Sequence, residues 1–282
     1  MLETKLYAIT KGFSKDQKYA ALLNNEKVLV RLFEEQQQPR KEQEFQIIEQ
    51  AYNLGINSPK PISIGPGKMI TSFLEGMDAE EAIATLTEKQ QYDLGVAASA
   101  DLKKLHTIEA TENKWYESQT AKYRRYIARY HELPLKIEGD TQIMHFIEQR
   151  LHLMKDRPSV LQHDDFHLPN LIVHNGAYNG VIDFGRFDYG DPIHDFIKLG
   201  MFSAESSVPF CKGLLEGYYG GKLTVEFWEL YALYLAMGVF SAIVWGQLME
   251  DGANLLQHAK RFSADHCGFT SAVPKWYEAH LK

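Results

Sequence analysis

HDDFHLPNLIVHNGAYNGVIDFG, residues 163–185, is the stretch whose reading decides the fold. Its polar landmarks are His163, Asp165, Asn170 and Asp183; four residues separate Asp165 from Asn170, and Phe184-Gly185 follow Asp183. Apolar runs, Leu171-Ile172-Val173 and Val181-Ile182, flank Asn175-Gly176. That pair favours a tight turn, so the run reads as a hairpin with one oxygen donor at each base. The pattern H-x-D-x-x-x-x-N followed by D-F-G suits phosphoryl transfer. Such a reaction needs a carboxylate near the attacking hydroxyl, and Asp165 fits. It also needs hard oxygen ligands for Mg²⁺ on nucleotide phosphates, and Asn170 and Asp183 fit.

On these residues the chain resembles the aminoglycoside phosphotransferases and related small-molecule kinases. That family typically reads H-G-D-x-x-x-x-N, then I-D-[FWL]-[GE], then G-D-x-x-x-D. The same order stands here as His163-Asp164-Asp165, Asn170, Ile182-Asp183-Phe184-Gly185 and Gly190-Asp191 through Asp195, with Asp164 in place of the usual glycine. The resemblance implies a two-lobed, protein-kinase-like α+β fold. A small β-rich nucleotide-binding lobe would cover 1–74. A mainly helical lobe, carrying the catalytic loop and the acceptor site, would cover 75–282. ATP, with GTP not excluded, and Mg²⁺ would bind in the cleft between them. The backbone of Ser72 and Leu74 would meet the adenine edge, and Asp195 would anchor the catalytic loop as a structural residue.

Composition sets outer bounds. The chain has 282 residues, 45% hydrophobic and 24% charged, with net charge −7. That is an ordinary globular composition, and its acidity argues against nucleic acid and anionic membranes as partners. It suits a cationic small substrate. Cys211 and Cys267 have no metal-site spacing and read as thiols in a reducing, cytoplasmic compartment. The N-terminus lacks a basic segment followed by an apolar core, so no signal peptide is expected. Leu230–Met249 carries no charge and approaches the length of a membrane span. Its Tyr, Trp, Ser, Gln and Gly residues favour a buried core helix of the helical lobe.

Upstream of the central stretch, Leu6–Ile9, Tyr19–Leu23 and Lys27–Phe33 read as strands, with a turn at Asn24-Asn25. The loop holding Gly12 and Ser14 is placed to cover phosphates with its N–H groups. Arg31, in VLVRLF, sits where kinases put the phosphate-pairing lysine of the third strand, and a guanidinium binds phosphate in a fork. A helix is expected over Glu42–Leu54, with Phe45, Ile48 and Tyr52 as its apolar stripe. Glu44 is the expected partner of Arg31, with Glu42 the alternative on another face. Pro59 and Pro61 bracket a connection to a last strand, Lys68–Leu74. Beyond Gly76 the pattern turns helical. Thr87 and Gln90 form a capping box for a helix lined by Leu94, Ala98, Leu102 and Leu105. Further helices are expected near 115–131, 141–156 and Asp195–Phe202.

The expected activity is transfer of the γ-phosphoryl group to a hydroxyl of an aminoglycoside or similar amino-sugar. Asp188 and Glu205 are candidate contacts to a cationic acceptor. Two rivals stand: a metabolite kinase of the same fold with a choline-, homoserine- or sugar-like acceptor, and a nucleotide-binding module without turnover. Retention of Asp165, Asn170 and Asp183 together argues against the last.

Overall fold

A computed structural model describes residues 6–11, 16–221, 223–248 and 252–279. The strands are β1 (Tyr7–Ile9), β2 (Gln17–Leu23), β3 (Glu26–Leu32), β4 (Pro61–Gly65), β5 (Lys68–Ser72), β6 (Met77–Asp78), β7 (Val160–Gln162), β8 (Leu171–His174), β9 (Ala177–Val181) and β10 (Asp188–Gly190). The helices are α1 (Gln38–Asn53), α2 (Ala79–Ala82), α3 (Glu88–Leu105), α4 (Trp115–Glu132), α5 (Asp140–Arg150), α6 (Ala204–Ser206), α7 (Val208–Tyr219), α8 (Val225–Leu248), α9 (Gly252–Asp265) and α10 (Lys275–Glu278).

Packing divides the chain into two units, residues 1–84 with 168–187, and residues 85–167 with 188–282. The sheet unit therefore includes the 171–181 hairpin, which chain order alone assigns to the second half. Its main sheet is antiparallel, in the order β1-β2-β3-β5-β4. Strand alternation sorts β2 and β3 into two faces. Ala21, Val28, Val30 and Ile70 form an apolar cluster on one, with Tyr19, Leu23 and Leu32 against it. Lys18 and Arg31, directly opposed in the ladder, lie on the other with Met69. Two of the two-residue hairpin turns have positive φ at both positions: Asn24 and Asn25 at 51° and 66°, Asn175 and Gly176 at 51° and 75°. This is the turn that matches strand twist, and Asn and Gly tolerate it best.

Two sequence expectations need correction here. The connection after Pro59 is partly a strand: β4 pairs along β5 as an edge, with Pro61 at its first position, where a missing N–H costs least. Helix α1 starts earlier than expected and buries Lys41, Glu44, Ile47, Ile48 and Ala51, while Tyr52 is exposed. The stripe is displaced because two of the buried positions are charged, which a hydrophobic count passes over.

The helical unit forms as the sequence predicts for α3. Thr87 and Gln90 make the reciprocal cap, and Leu94, Ala98, Leu102 and Leu105 are all buried. Asp195–Phe202 is helical as expected, but not as one regular α-helix: a 3₁₀ stretch, Pro192–Phe196, gives way to a π stretch, Leu199–Ser203, that runs into α6. Helix α8 is long and apolar enough to cross a membrane, but 89% of its most apolar window is buried inside the protein. Its aromatic and aliphatic side chains form the core of the helical unit, as Tyr231, Leu233, Val239 and Phe240 illustrate, each wholly buried.

Helices α3 and α7 meet backbone to backbone. A Cβ on Gly95 would sit 2.2 Å from the Phe210 carbonyl oxygen, and one on Gly213 would sit 2.1 Å from that of Tyr92. Helix propensity alone makes Gly→Ala favourable by about 1 kcal/mol. Overpacking typically costs about 1–3 kcal/mol, and backbone atoms cannot rotate away. Gly95→Ala and Gly213→Ala are therefore expected to lower the urea midpoint; a rise in either would contradict this packing.

Candidate active site

In the helical unit, β7 leads into the loop His163-Asp164-Asp165. The loop is fixed from below by the carboxylate of Asp195, which is fully buried. The His163 N–H donates to Oδ2 at 2.9 Å and the Asp164 N–H donates to Oδ1 at 2.6 Å. His106 Nε2 lies 3.0 Å from Oδ2, and His106 Nδ1 lies 2.8 Å from the Tyr218 hydroxyl. A carboxylate only accepts, so Nε2 carries the proton. The neighbouring Asp191 is also buried. It accepts from Arg157 Nε at 2.7 Å and from the Tyr234 hydroxyl at 2.9 Å. Of the two aspartates of the G-D-x-x-x-D run, Asp195 thus supports the loop, while Asp191 ties the segment before β7 to α8.

This geometry explains residue 164. Its φ is 55°, in the left-handed region that glycine enters freely and Asp tolerates better than most residues. The side chain then gains a second role: Oδ1 lies 3.2 Å from His194 Nδ1. Burial pushes the Asp164 carboxyl up, but the His194 bond and the nearby Lys198 charge outweigh it and hold the group well below the usual carboxylate range. Asp165 is partly exposed, with its Oδ1 3.5 Å from both Lys198 Nζ and His167 Nε2. Lys198 and His167 were not singled out from the sequence; one sits in an apolar run, and neither has a periodic signal.

In the sheet unit, Leu171 pairs with Val181, and the Ile182 N–H donates to the Asn170 carbonyl at 2.9 Å. Asn170 and Asp183 therefore occupy adjoining positions at the open end of the hairpin. Asp183 has φ 65°, a costly conformation for a residue with a Cβ, and its side chain is 36% exposed. Lys18 Nζ is 3.9 Å from its Oδ2. Arg40 of α1 holds the segment just beyond, donating to the carbonyls of Gly185 at 3.2 Å and Phe187 at 2.6 Å.

Arg31 pairs with Glu44 through Nη1. It also binds Asp16, with Nε at 3.0 Å and Nη2 at 2.6 Å. Lys41 Nζ donates to the same two acids, at 2.6 Å to Asp16 and 3.3 Å to Glu44. All four side chains are buried. Burial disfavours the Arg31 cation, but Glu44 and Asp16 outweigh that and raise its pKa further. Sequence reasoning found Arg31 and Glu44 and missed Asp16 and Lys41. The one available signal was Lys41 standing three residues before Glu44, on the same helix face.

The remaining candidates fall differently. Gly12 and Ser14 lie outside the described residues. The Ser72 N–H already donates to the Lys60 carbonyl at 2.8 Å, in the β4–β5 edge. Asp188 Oδ1 accepts from the Tyr189 N–H at 2.8 Å at the start of β10. Glu205 is ion-paired with Arg261 Nε of α9 at 3.2 Å, and His258 Nδ1 is 3.6 Å away.

Two outcomes follow from the charge cluster. Arg31→Met removes the guanidinium that pairs with two buried carboxylates, and breaking buried pairs costs about 3–5 kcal/mol; chemical denaturation measures the loss, and a neutral effect would contradict it. Burial raises the Asp16 carboxyl, and the bonds from Lys41 and Arg31 more than reverse this, so its folded value lies below the unfolded one. The stability it contributes is complete above about pH 4 and drains as pH falls through the folded value. Asp16→Asn is expected to lower stability at neutral pH and flatten its decline in acid. An unchanged acid limb would argue against the pairing.

Comparison with known proteins came to the same family. The model of the APH phosphotransferase enzyme family matches residues 5–228. A search of curated proteins by sequence gave no match. Among solved structures, the gentamicin–APH(2″)-IIa complex is 21% identical with a TM-score of 0.66, over 92% of this chain and 90% of that one. The GDP complex of wild-type aminoglycoside 2′-phosphotransferase-IIIa is 16% identical with a TM-score of 0.68, over 93% of each. A choline/ethanolamine kinase family protein from Mesorhizobium loti is 14% identical with a TM-score of 0.68, over 99% of this chain and 93% of that one. At these identities the likeness speaks for the fold, which is the two-lobed, protein-kinase-like α+β fold. With its family model spanning most of the chain, this protein belongs to the phosphotransferase enzyme family, as a phosphotransferase with an alcohol group as acceptor.

Proposed function

We propose that the enzyme transfers the γ-phosphoryl group of ATP to a hydroxyl of a small cationic acceptor, an aminoglycoside or similar amino-sugar. The observation that carries the reading is the loop geometry: a partly exposed Asp165 directly follows two residues whose N–H groups are pinned by Asp195. The acceptor oxygen forms a bond to the γ-phosphorus as the bond to the β,γ-bridging oxygen breaks. The hydroxyl proton passes to Asp165, and ADP leaves. Lys198 Nζ lies 3.5 Å from Asp165 Oδ1 and is an ion-pair neighbour of that carboxylate.

Asp183 and Asn170 fit Mg²⁺ in chemistry: a partly exposed carboxylate and an amide oxygen near the open end of the hairpin, both hard donors. The ion supplies charge neutralisation on the phosphates when bound. Nucleotide binding is supported by the ADP complex of aminoglycoside phosphotransferase APH(2″)-Ib and by the GDP complex above. The amino-sugar reading is supported by the net charge of −7 and by neighbours solved with gentamicin and hygromycin B. A choline- or ethanolamine-like acceptor is the second reading. The Glu205 ion pair favours it, because a carboxylate already held by Arg261 has less to offer a polycation.

Asp165→Asn is expected to lower turnover ~10²–10⁴-fold, with nucleotide affinity unchanged; near-normal turnover would remove Asp165 from the role. Asp183→Ala should weaken Mg·ATP binding more than Asn170→Ala, since a carboxylate offers charge and an amide only a dipole. Calorimetry separates them, and a larger loss at Asn170 would reverse the ranking. Raised salt should increase KM for a cationic acceptor far more than for a neutral one. An equal response would speak against electrostatic capture.

A further inference from the structure

Lys18 stands directly opposite Arg31 in the β2–β3 ladder, so both point to the same face of the sheet. Like charges placed this way repel, and a local rule broken without packing gain is characteristic of a working site. Each cation has an acidic neighbour, but on different terms. Arg31 uses Nε and both Nη groups on Asp16 and Glu44. With Lys41 on the same two acids, the cluster holds two positive and two negative charges and sums to zero. It is buried on every member. An incoming phosphate meets little net charge there. Pulling Arg31 toward it would leave Asp16 or Glu44 buried with a poorer partner, which is costly.

Lys18 carries no such obligation to its neighbour. Its ammonium is 3.9 Å from Asp183, beyond hydrogen-bonding distance, and its side chain is twice as exposed as that of Arg31, 16% against 8%. The acid it faces is the one assigned above to the metal. A carboxylate shared with a divalent cation has less negative charge left for an ammonium, and Lys18 then stands beside the place where phosphate oxygens gather. An ammonium on a flexible four-carbon stem, with three donors, adapts to such a target without breaking a bond already made.

We propose that Lys18 of β2, rather than Arg31 of β3, is the cation of this sheet that pairs directly with the nucleotide phosphates, and that Arg31 is a positioning residue that ties α1 to the segment entering β2. The inference rests on the nucleotide-binding reading and refines it.

The test is calorimetric titration of the full chain with ATP, ADP and adenosine, each with Mg²⁺ and again in EDTA. Lys18→Met keeps the stem and removes the charge. It should lose on the order of tenfold or more in ATP affinity, in both conditions, with adenosine affinity and melting temperature close to wild type. Lys18→Arg should recover most of the loss. Arg31→Lys should lower the melting temperature while leaving the ratio of ATP to adenosine affinity intact. Wild-type ATP binding by Lys18→Met, or an equal loss for adenosine, overturns the proposal. So does a change of the ratio in Arg31→Lys alone. A wild-type chain that binds ATP no better than adenosine overturns the nucleotide reading itself, and is recognised before any substitution is made.

Discussion

The catalytic loop depends on one buried carboxylate. Asp195 gathers two backbone N–H groups and an imidazole N–H, and each donor answers a need of a different element. The loop must hold residue 164 at positive φ, and a carboxylate accepting from that residue's own N–H makes the conformation pay its way. Helix α3 ends at Leu105, and His106, its capping residue, reaches Asp195 and the Tyr218 hydroxyl of α7. A buried charge without such partners would cost several kcal/mol, of order 3–5 when a pair is broken. The same bonds that neutralise that cost set the direction in which Asp165 emerges. Close approach of α3 and α7 through Gly95 and Gly213 brings His106 and Tyr218 within reach of each other.

The sheet unit solves a related problem with four charges. Arg31, Lys41, Asp16 and Glu44 bind β3, the segment entering β2 and α1 without an apolar side chain among them. Their mutual bonds replace water, and their sum of zero keeps the buried cluster tolerable. The consequence is functional. A cation locked in a balanced cluster is a strut, and phosphate recognition passes to a neighbour whose own acid has other work. Asp183, held at positive φ on a hairpin end tied to α1 through Arg40, is placed to serve as that acid.

The stretch from His163 to Gly185 was legible because its residues are chemically unusual and their spacing is rigid. The Asn175-Gly176 turn and the Thr87–Gln90 box were legible because each is a local hydrogen-bond device. Less could be read where burial contradicts polarity. The inner face of α1 carries Lys41 and Glu44, so the apolar stripe pointed to Tyr52, which is exposed. Asp16 and Lys41 gave no sign of meeting Arg31, since the three converge only through sheet pairing and helix placement. Strand β4 was hidden by Pro61 and the nearby Pro59, and with it the loss of the Ser72 N–H to Lys60. The ion pair between Glu205 and Arg261 joins distant segments, and no periodicity announces it.

The central claim is phosphoryl transfer from nucleotide to an alcohol, and ³¹P NMR observes that event directly. Enzyme, Mg²⁺ and ATP would be incubated with a panel of amino-sugars, choline-like alcohols and neutral sugars. The account predicts a new phosphomonoester resonance with at least one acceptor, growing in step with ADP and lacking any matching inorganic phosphate. Binding of ATP with no phosphomonoester from any alcohol, or release of inorganic phosphate alone, would contradict it.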